Sequence, residues 1–478
     1  MKVITILCIC ILVLLTVIIV RALSFRPQGE PVPAQDTIDL DEDRIVQSLQ
    51  QMIRCKTVSY DDASLVDRKE FEKFQELLAE RYPEVHDTCQ RTFHGVNGLL
   101  YHWKGKNDEN PVVLMAHYDV VPAEESEWEK PAFEGILENG VIWGRGTLDT
   151  KGTVCGIFEA AEKLISEGFI PEKDIYFAFS GQEEIDGGSC AAIVDWFEKQ
   201  GIQPSMVVDE GGAVVEDIFP GVNRECAVIG IAEKGIMNVE LSMKSNGGHA
   251  SAPPKHTIVG ELAQAAVKIE NHPFPKQFTK PVRVMLDTLG RHSTFLYRVI
   301  FANMWCFEGI FAKYCQQSGG ELNAMIRTTC AITKMNAGKA YNVIPAKASV
   351  GMNLRLLGKD TLESVKTYLE EIIGNPKINV RIVEGRNPSL ESDIHCAEWE
   401  KLRQVVADTW KDAIVSPYLM MAGSDSWHYC RITDRIYKFS AMKLSKEERG
   451  MIHGNNERVP VSTMVKTVEF YVRLMREI

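Results

Sequence analysis

The sequence predicts an α/β protein: a split domain on a mostly parallel sheet with helices on both faces, interrupted by a ferredoxin-like (α+β) domain. Three observations carry this. Apolar runs of strand length alternate with amphipathic runs of helix length over residues 43–235. The order then changes to β-α-β-β-α-β over 236–389. Throughout the first part, polar residues with chemical potential stand where the apolar runs stop.

In the first part "VVLMAH" (112–117), "DIYFAFSG" (174–181) and "SMVVDEGG" (205–212) read as buried strands. "GTVCGIFEAAEKLISEG" (152–168) and "CAAIVDWFEKQG" (190–201) read as the helices between them. Strands separated by helices of this length form parallel sheets covered on both faces. Such sheets bind ligands outside the carboxyl ends of their strands. In the second part "IMNVELSMKS", "IRTTCAITKM", "AKASVGMNLRLL" and "KINVRIVEG" are strand-like, and "TIVGELAQAAVKIEN" and "TLESVKTYLEEII" helical. This is the ferredoxin-like order, broken by an aromatic-rich insert at 277–325. Residues 390–478 return to the first domain.

At 478 residues the chain is too long for one ordinary core. Hydrophobic residues make up 45% and charged residues 25%, and the net charge is −12. The negative charge argues against nucleic acid or an anionic membrane as the main partner. "VITILCICILVLLTVIIV" (3–20) is uncharged and bracketed by Lys2 and Arg21. It is longer than a usual signal core and just long enough to span a bilayer. Residues 1–22 therefore read as a cleaved signal peptide or a membrane anchor, and 23–42 as a linker. Either way the body is expected in the secretory pathway, secreted or held on the lumenal or extracellular side. The cysteines outside this segment form no CxxC pair, so no zinc knuckle or redox motif is present.

The strand ends and Gly-rich turns offer ligands for a pair of Zn²⁺ ions: His117, Asp149 in "WGRGTLDTKG", Glu184, Asp209, and His453 in "MIHGNNE". Five ligands serve two ions if Asp149 bridges. Glu183 is left over beside Glu184, and neighbours in an extended segment point opposite ways. A spare carboxylate beside a metal site is what a general base requires. Asp119, two residues after His117, is placed to orient the imidazole.

"LMAHYDVVP", "GRGTLDTKG", "SGQEEIDGG", "NGGHASAPP", "YNVIPAKASVGMNLRLL" and "IHGNNE" resemble the di-zinc aminoacylase/carboxypeptidase family, nearest its carboxypeptidase S and N-fatty-acyl-amino-acid synthase/hydrolase branches. The resemblance runs over about 45–478 in unbroken motif order. It implies that the inserted domain is a lid or dimerisation domain, with a homodimer as one assembly. It also implies that His117, Asp149 and Asp209 hold one zinc and Asp149, Glu184 and His453 the other. Glu183 then matches the acid/base and Asp119 the His-orienting carboxylate. His249 matches a donor to the developing oxyanion, often reached across a dimer. Asn342 and Arg355 match contacts to the substrate carboxylate, and Gly423 and Ser424 lie in the substrate loop. The Asp149–Thr150 bond is expected to be cis. One departure stands out: relatives commonly carry Gly-(Thr/Ser)-Asp-x-Arg, whereas "GSDSW" (423–427) puts Trp427 where a cation stands.

The expected activity is zinc-dependent hydrolysis, with condensation as its reverse, of N-acyl amino acids, including N-fatty-acyl ones. Carboxypeptidase or dipeptidase action on short peptides is the alternative; a catalytically inactive, anchored binding ectodomain is the alternative from another class. The segment 293–315, dense in Phe, Trp and Ile, is expected to line an acyl groove or to pack on the lid sheet.

Overall fold

The computed structural model describes residues 2–216 and 219–478. Its largest sheet has eight strands, in the order Gln90–His94, Gly98–Trp103, Lys173–Ser180, Asn107–His117, Met206–Val215, Ile436–Leu444, Cys226–Glu233 and Ile414–Met420. The four central strands run parallel to one another; Gly98–Trp103 and Cys226–Glu233 flank them antiparallel, and the edge strand Ile414–Met420 pairs parallel with Cys226–Glu233. Alternation along the strands divides the two faces. Val112, Leu114 and Ala116 join the larger core beneath the helices Lys151–Ser166 and Val461–Glu477. Val113 and Met115 join a second core with Ile193, Phe197 and Tyr429 on the opposite face. Helices thus cover both faces, as the strand pattern requires.

The inserted domain has its own core. Its four antiparallel strands lie in the order Thr329–Asn336, Lys347–Leu356, Gly235–Lys244, Asn379–Arg386. The helices Ile258–Asn271 and Leu362–Ile373 pack on this sheet through Leu262, Ala265, Val365 and Leu369.

The aromatic insert departs from the expectation. It does not pack on the lid sheet with which the sequence groups it. Val282, Met285, Leu286 and Leu289 form one face of the helix Lys280–His292, and that face covers the edge strand Ile414–Met420 of the catalytic sheet. A sheet edge left open would expose unpaired backbone groups, and the helix buries this one. Residues 23–41 are not a free tether either. Ala34 N–H donates to Asp408 (2.8 Å), and Asp36 pairs with Arg473 (2.8 Å).

Candidate active site

The site forms at the ends of the parallel strands. His117 ends its strand and is clamped to the next loop. Its N–H donates to Thr150 Oγ1 (3.0 Å), and the Thr150 hydroxyl donates to the His117 carbonyl (2.8 Å). The Asp149–Thr150 peptide bond is cis, as expected. Asp119 does more than orient the imidazole. Its Oδ1 lies 3.4 Å from His117 Nδ1, whose nearer partner is the Asp119 carbonyl at 3.0 Å. Its carboxylate also accepts from Ser59 Oγ (2.7 Å) and from the N–H groups of Glu183 (3.1 Å) and Glu184 (3.2 Å). One buried carboxylate therefore ties the Glu183–Glu184 turn to the His117 strand.

Glu457, which sequence reasoning missed, does the same for the loops carrying Asp149 and His453. It accepts from the N–H groups of Gly146 (2.9 Å), Leu148 (2.7 Å) and Asp149 (3.2 Å) and from Arg145 Nη1 (2.7 Å). Arg145 also donates to the Gly454 carbonyl (2.8 Å). Removing either partner would leave a buried charge without its counter-ion.

Within this frame the side chains converge. His117 Nε2 is 2.8 Å from Asp149 Oδ1. His453 Nε2 is 3.1 Å from Asp149 Oδ2 and 2.9 Å from Glu184 Oε2. Asp149 thus offers one oxygen toward each histidine, the arrangement of a bridge.

The carboxylate nearest His117 after Asp149 is Glu210, the neighbour of the expected Asp209. Glu210 Oε1 lies 3.7 Å from His117 Nε2, and Glu183 and Glu210 group with His117 as a ligand set, while Asp209 Oδ2 is buried with no hydrogen-bond partner among the described residues. Strand phase separates the two carboxylates. Val207 packs in the core with Tyr429, so Asp209, two residues on, points to that face. There its charge raises the pKa values of Asp425, Cys190 and Tyr429, after burial itself. Glu210 points the other way, into the site. The phase was readable from "SMVVDEGG" had the buried face of Val207 been known.

The electrostatics are those of a site built for cations. Burial disfavours a charged His117, yet Glu210, Asp119 and Asp149 raise its pKa well above the ordinary histidine value. Hydrogen bonds to Asp149 and Glu184 raise His453 to about 10. Burial and Asp149 raise Glu210 to about 8, against the pull of His117. Burial, then Glu210, raise Glu183 well above the carboxylate range. Carboxylates this close need positive charge between them, and Glu184 Oε1 is buried with no hydrogen-bond partner among the described residues. Oxygen and imidazole donors in this proportion fit a pair of divalent metal ions.

The residues expected to meet the substrate fall into two groups. Arg355 lies near Arg386 and Glu233 at the root of the lid, where burial and the Arg386 charge lower its pKa. Gly423 and Ser424 stand against this cluster: Ser424 N–H donates to Glu233 Oε2 (3.2 Å). A Cβ on Gly423 would fall 2.0 Å from Arg386 Nη2, so any other residue there would displace the guanidinium. Arg386 was not foreseen. Its guanidinium lies 5.2 Å over the Trp427 ring and pairs with Asp186 (3.2 Å) and Glu233 (3.4 Å). A cation from the lid thus stands against the Trp427 ring. His249 and Asn342 lie elsewhere, exposed on the lid beside a short ladder of 248–249 with 343–344. The His249 ring bonds Ser251 Oγ (2.7 Å), and neither residue joins the metal-type cluster among the described residues.

Beside the strand-end loop 420–424 lies an apolar cavity of about 400 Å³, lined by Met285, Leu289, Leu322, Met325, Tyr418 and Met421 among others. None of the described residues lining it comes from 293–315, where a groove is expected; Met285, Leu289, Leu322 and Met325 come from the helices on either side of that segment.

Known proteins resemble this chain along most of its length. A probable carboxypeptidase S-like protein of Dictyostelium discoideum is 33% identical over 478 residues, 98% of this chain and 92% of that one. The N-fatty-acyl-amino acid synthase/hydrolase PM20D1 of Xenopus tropicalis is 31% identical, covering 91% and 85%. Among solved structures, an M20 family metallo-carboxypeptidase of Sulfolobus solfataricus superimposes with a TM-score of 0.67 at 15% identity, over 90% of this chain and 98% of that one. Human carnosine dipeptidase 1 does so with 0.63 at 13%, over 91% and 96%. A Bacillus subtilis relative, described as a dinuclear metal binding peptidase, scores 0.54 at 13% identity, over 91% and 99%. Residues 113–477 match peptidase family M20/M25/M40, so the chain belongs to that family of metal-dependent hydrolases acting on peptide or amide bonds.

Proposed function

We propose that the protein is a di-zinc amidohydrolase of N-fatty-acyl amino acids, working on the lumenal or extracellular side of the secretory pathway. One observation carries the substrate. The loop 420–424 joins an apolar cavity, through Met421, to a cationic cluster, through Gly423 against Arg386. An N-acyl amino acid has the same two ends, an apolar tail and a carboxylate. Arg386 and Arg355 suit the carboxylate, with Asn342 as a further contact.

His117, Asp149 and Glu210 would hold one zinc, and Asp149, Glu184 and His453 the other. When bound, the pair supplies Lewis acidity that activates water and polarises the amide carbonyl. Glu183 takes a proton from the attacking water as its oxygen bonds to the carbonyl carbon. It returns that proton to the nitrogen as the C–N bond breaks, releasing a carboxylic acid and an amino acid. The reverse condenses the two and releases water. His249 donates to the carbonyl oxygen as it gains charge, which requires lid movement or a second copy in a homodimer. The intact acid/base and ligand set weigh against an inactive binding ectodomain.

A carboxypeptidase or dipeptidase would use the same cations without needing the cavity. The test compares N-acetyl, N-octanoyl and N-oleoyl forms of one amino acid, below micelle-forming concentrations. kcat/KM should climb with acyl length, since burial contributes up to about 0.8 kcal/mol per CH₂. Leu322→Ala should penalise only the long-chain form. A flat or falling series would transfer the proposal to short peptides.

A further inference from the structure

The helix Lys2–Ser24 has a mean hydropathy of 3.5 and is exposed along most of its length. Its last turns are different. Ile18 and Ala22 are buried against the aromatic insert, at the break between the helices Phe295–Phe301 and Met304–Ser318. The contact is specific. The Asn303 side-chain amide, wholly buried, donates to the Ile18 carbonyl (3.0 Å), and Arg21 Nε donates to the Ala302 carbonyl (3.1 Å). Just beyond, Arg291 lies 4.5 Å over the Phe25 ring and donates to the Arg26 carbonyl (3.1 Å).

The two insert helices meet at 105° and leave large apolar side chains in the open: Phe295, Leu296, Tyr297, Trp305, Ile310 and Tyr314, with Leu296 74% and Ile310 68% exposed. A soluble surface rarely carries such a patch. It adjoins the base of a helix that itself needs a bilayer.

We propose that the helix is retained as an anchor and that the insert is seated in the same membrane surface, a foot that holds the catalytic domain on the bilayer. This rests on the secretory placement above and extends it to a second, interfacial contact. Length supports it. The uncovered apolar face runs from residue 3 past Val17 to Ile19, Val20 and Leu23, about 30 Å at 1.5 Å per residue, the thickness of a hydrocarbon core. A helix embedded along that face brings the contact at Ile18 and Ala22, and the insert around it, down to the membrane surface. Charge agrees: residues 276–313 hold six Lys/Arg against two acidic residues in a chain of net charge −12, so the foot can lay long basic side chains along apolar surface with their heads among lipid phosphates. Cleavage after Ala22 would instead strip the Asn303 amide of one partner and uncover more apolar surface.

The test uses the full chain made in secreting eukaryotic cells. Mass spectrometry of the mature protein should find residues 2–24 present, and alkaline carbonate should leave it in the membrane. The purified protein is then placed in phosphatidylcholine/phosphatidylserine vesicles with brominated acyl chains. Trp305, 59% exposed, is the insert's one tryptophan among eight in the chain. Bromine should quench part of the emission, and Trp305→Phe should abolish most of that quenching. A mature chain starting beyond Ala22 overturns the anchor and the foot together. A retained helix with no quenching, or with quenching that Trp305→Phe leaves unchanged, overturns the foot alone.

Discussion

The two halves of the candidate site are built to different standards. On the catalytic side His117 is 2% exposed, and Asp119, Thr150 and Glu457 hold the ligand-bearing loops through buried hydrogen bonds. On the lid side His249 and Asn342 stand in solvent, and among the described residues the ring of His249 bonds a neighbouring serine. The first half is preorganised, as electrostatic catalysis requires. The second, on the roles proposed for His249 and Asn342, is complete once something brings it close. Losses on the catalytic side should therefore follow from chemistry alone, and losses on the lid side from encounter.

The largest expected effect is on the catalytic side. Glu183→Gln should lower kcat by about 10²–10⁴ while metal content, measured by atomic absorption, stays at the wild-type level. Near-normal turnover with full metal would remove Glu183 from the reaction. On the lid side, His249→Ala should lower kcat by about 10²–10³, the scale of one lost oxyanion donor. If His249 crosses between copies, mixing this variant with Glu183→Gln should restore activity that neither has alone. No recovery on mixing would place the encounter within one chain. A smaller effect separates Glu210 from Asp209. Asp209→Asn should weaken metal binding by no more than the roughly 10–100-fold of an outlying partner, and Glu210→Gln by more. The reverse order would restore Asp209 as the ligand.

The sequence made the fold legible because both domains announce themselves through regular alternation. The site was legible where a residue type permits one role. His117 and Glu184 end apolar runs, and their geometry follows from that. Asp209 and Glu210 were ambiguous because two adjacent carboxylates differ only in strand phase, which tertiary packing decides. Glu457 and Arg386 were invisible for another reason. Each acts through partners far away in the chain, Glu457 on residues 145–149 and Arg386 on Asp186, Glu233 and Trp427. The insert misled because its apolar face fits any sheet edge, and the pattern names no particular one.

The smallest expected effect lies where the two halves join. Lys234, at the entry to the lid, is 1% exposed, and its ammonium donates to the carbonyls of Ala324 (3.0 Å) and Arg327 (2.9 Å). Burial, with the charge of Arg355 beside it, lowers its pKa from 10.5 to about 7. Between those values the unfolded chain binds a proton that the folded chain does not. Stability therefore rises with pH across that window: the contribution is complete above about 10.5 and lost as pH falls to about 7. Lys234→Met also removes two hydrogen bonds, but that loss is nearly the same at every pH. The slope is the readout. Urea unfolding at several pH values from neutral to 10 should show the wild type gaining on the variant by at most about 1.4 kcal/mol per pH unit. Parallel curves would mean that water reaches the ammonium and that the junction is open in solution. A wild type that gains on the variant as pH rises would mark the junction as closed, leaving the exposed tip of the lid as the part that must find its partner.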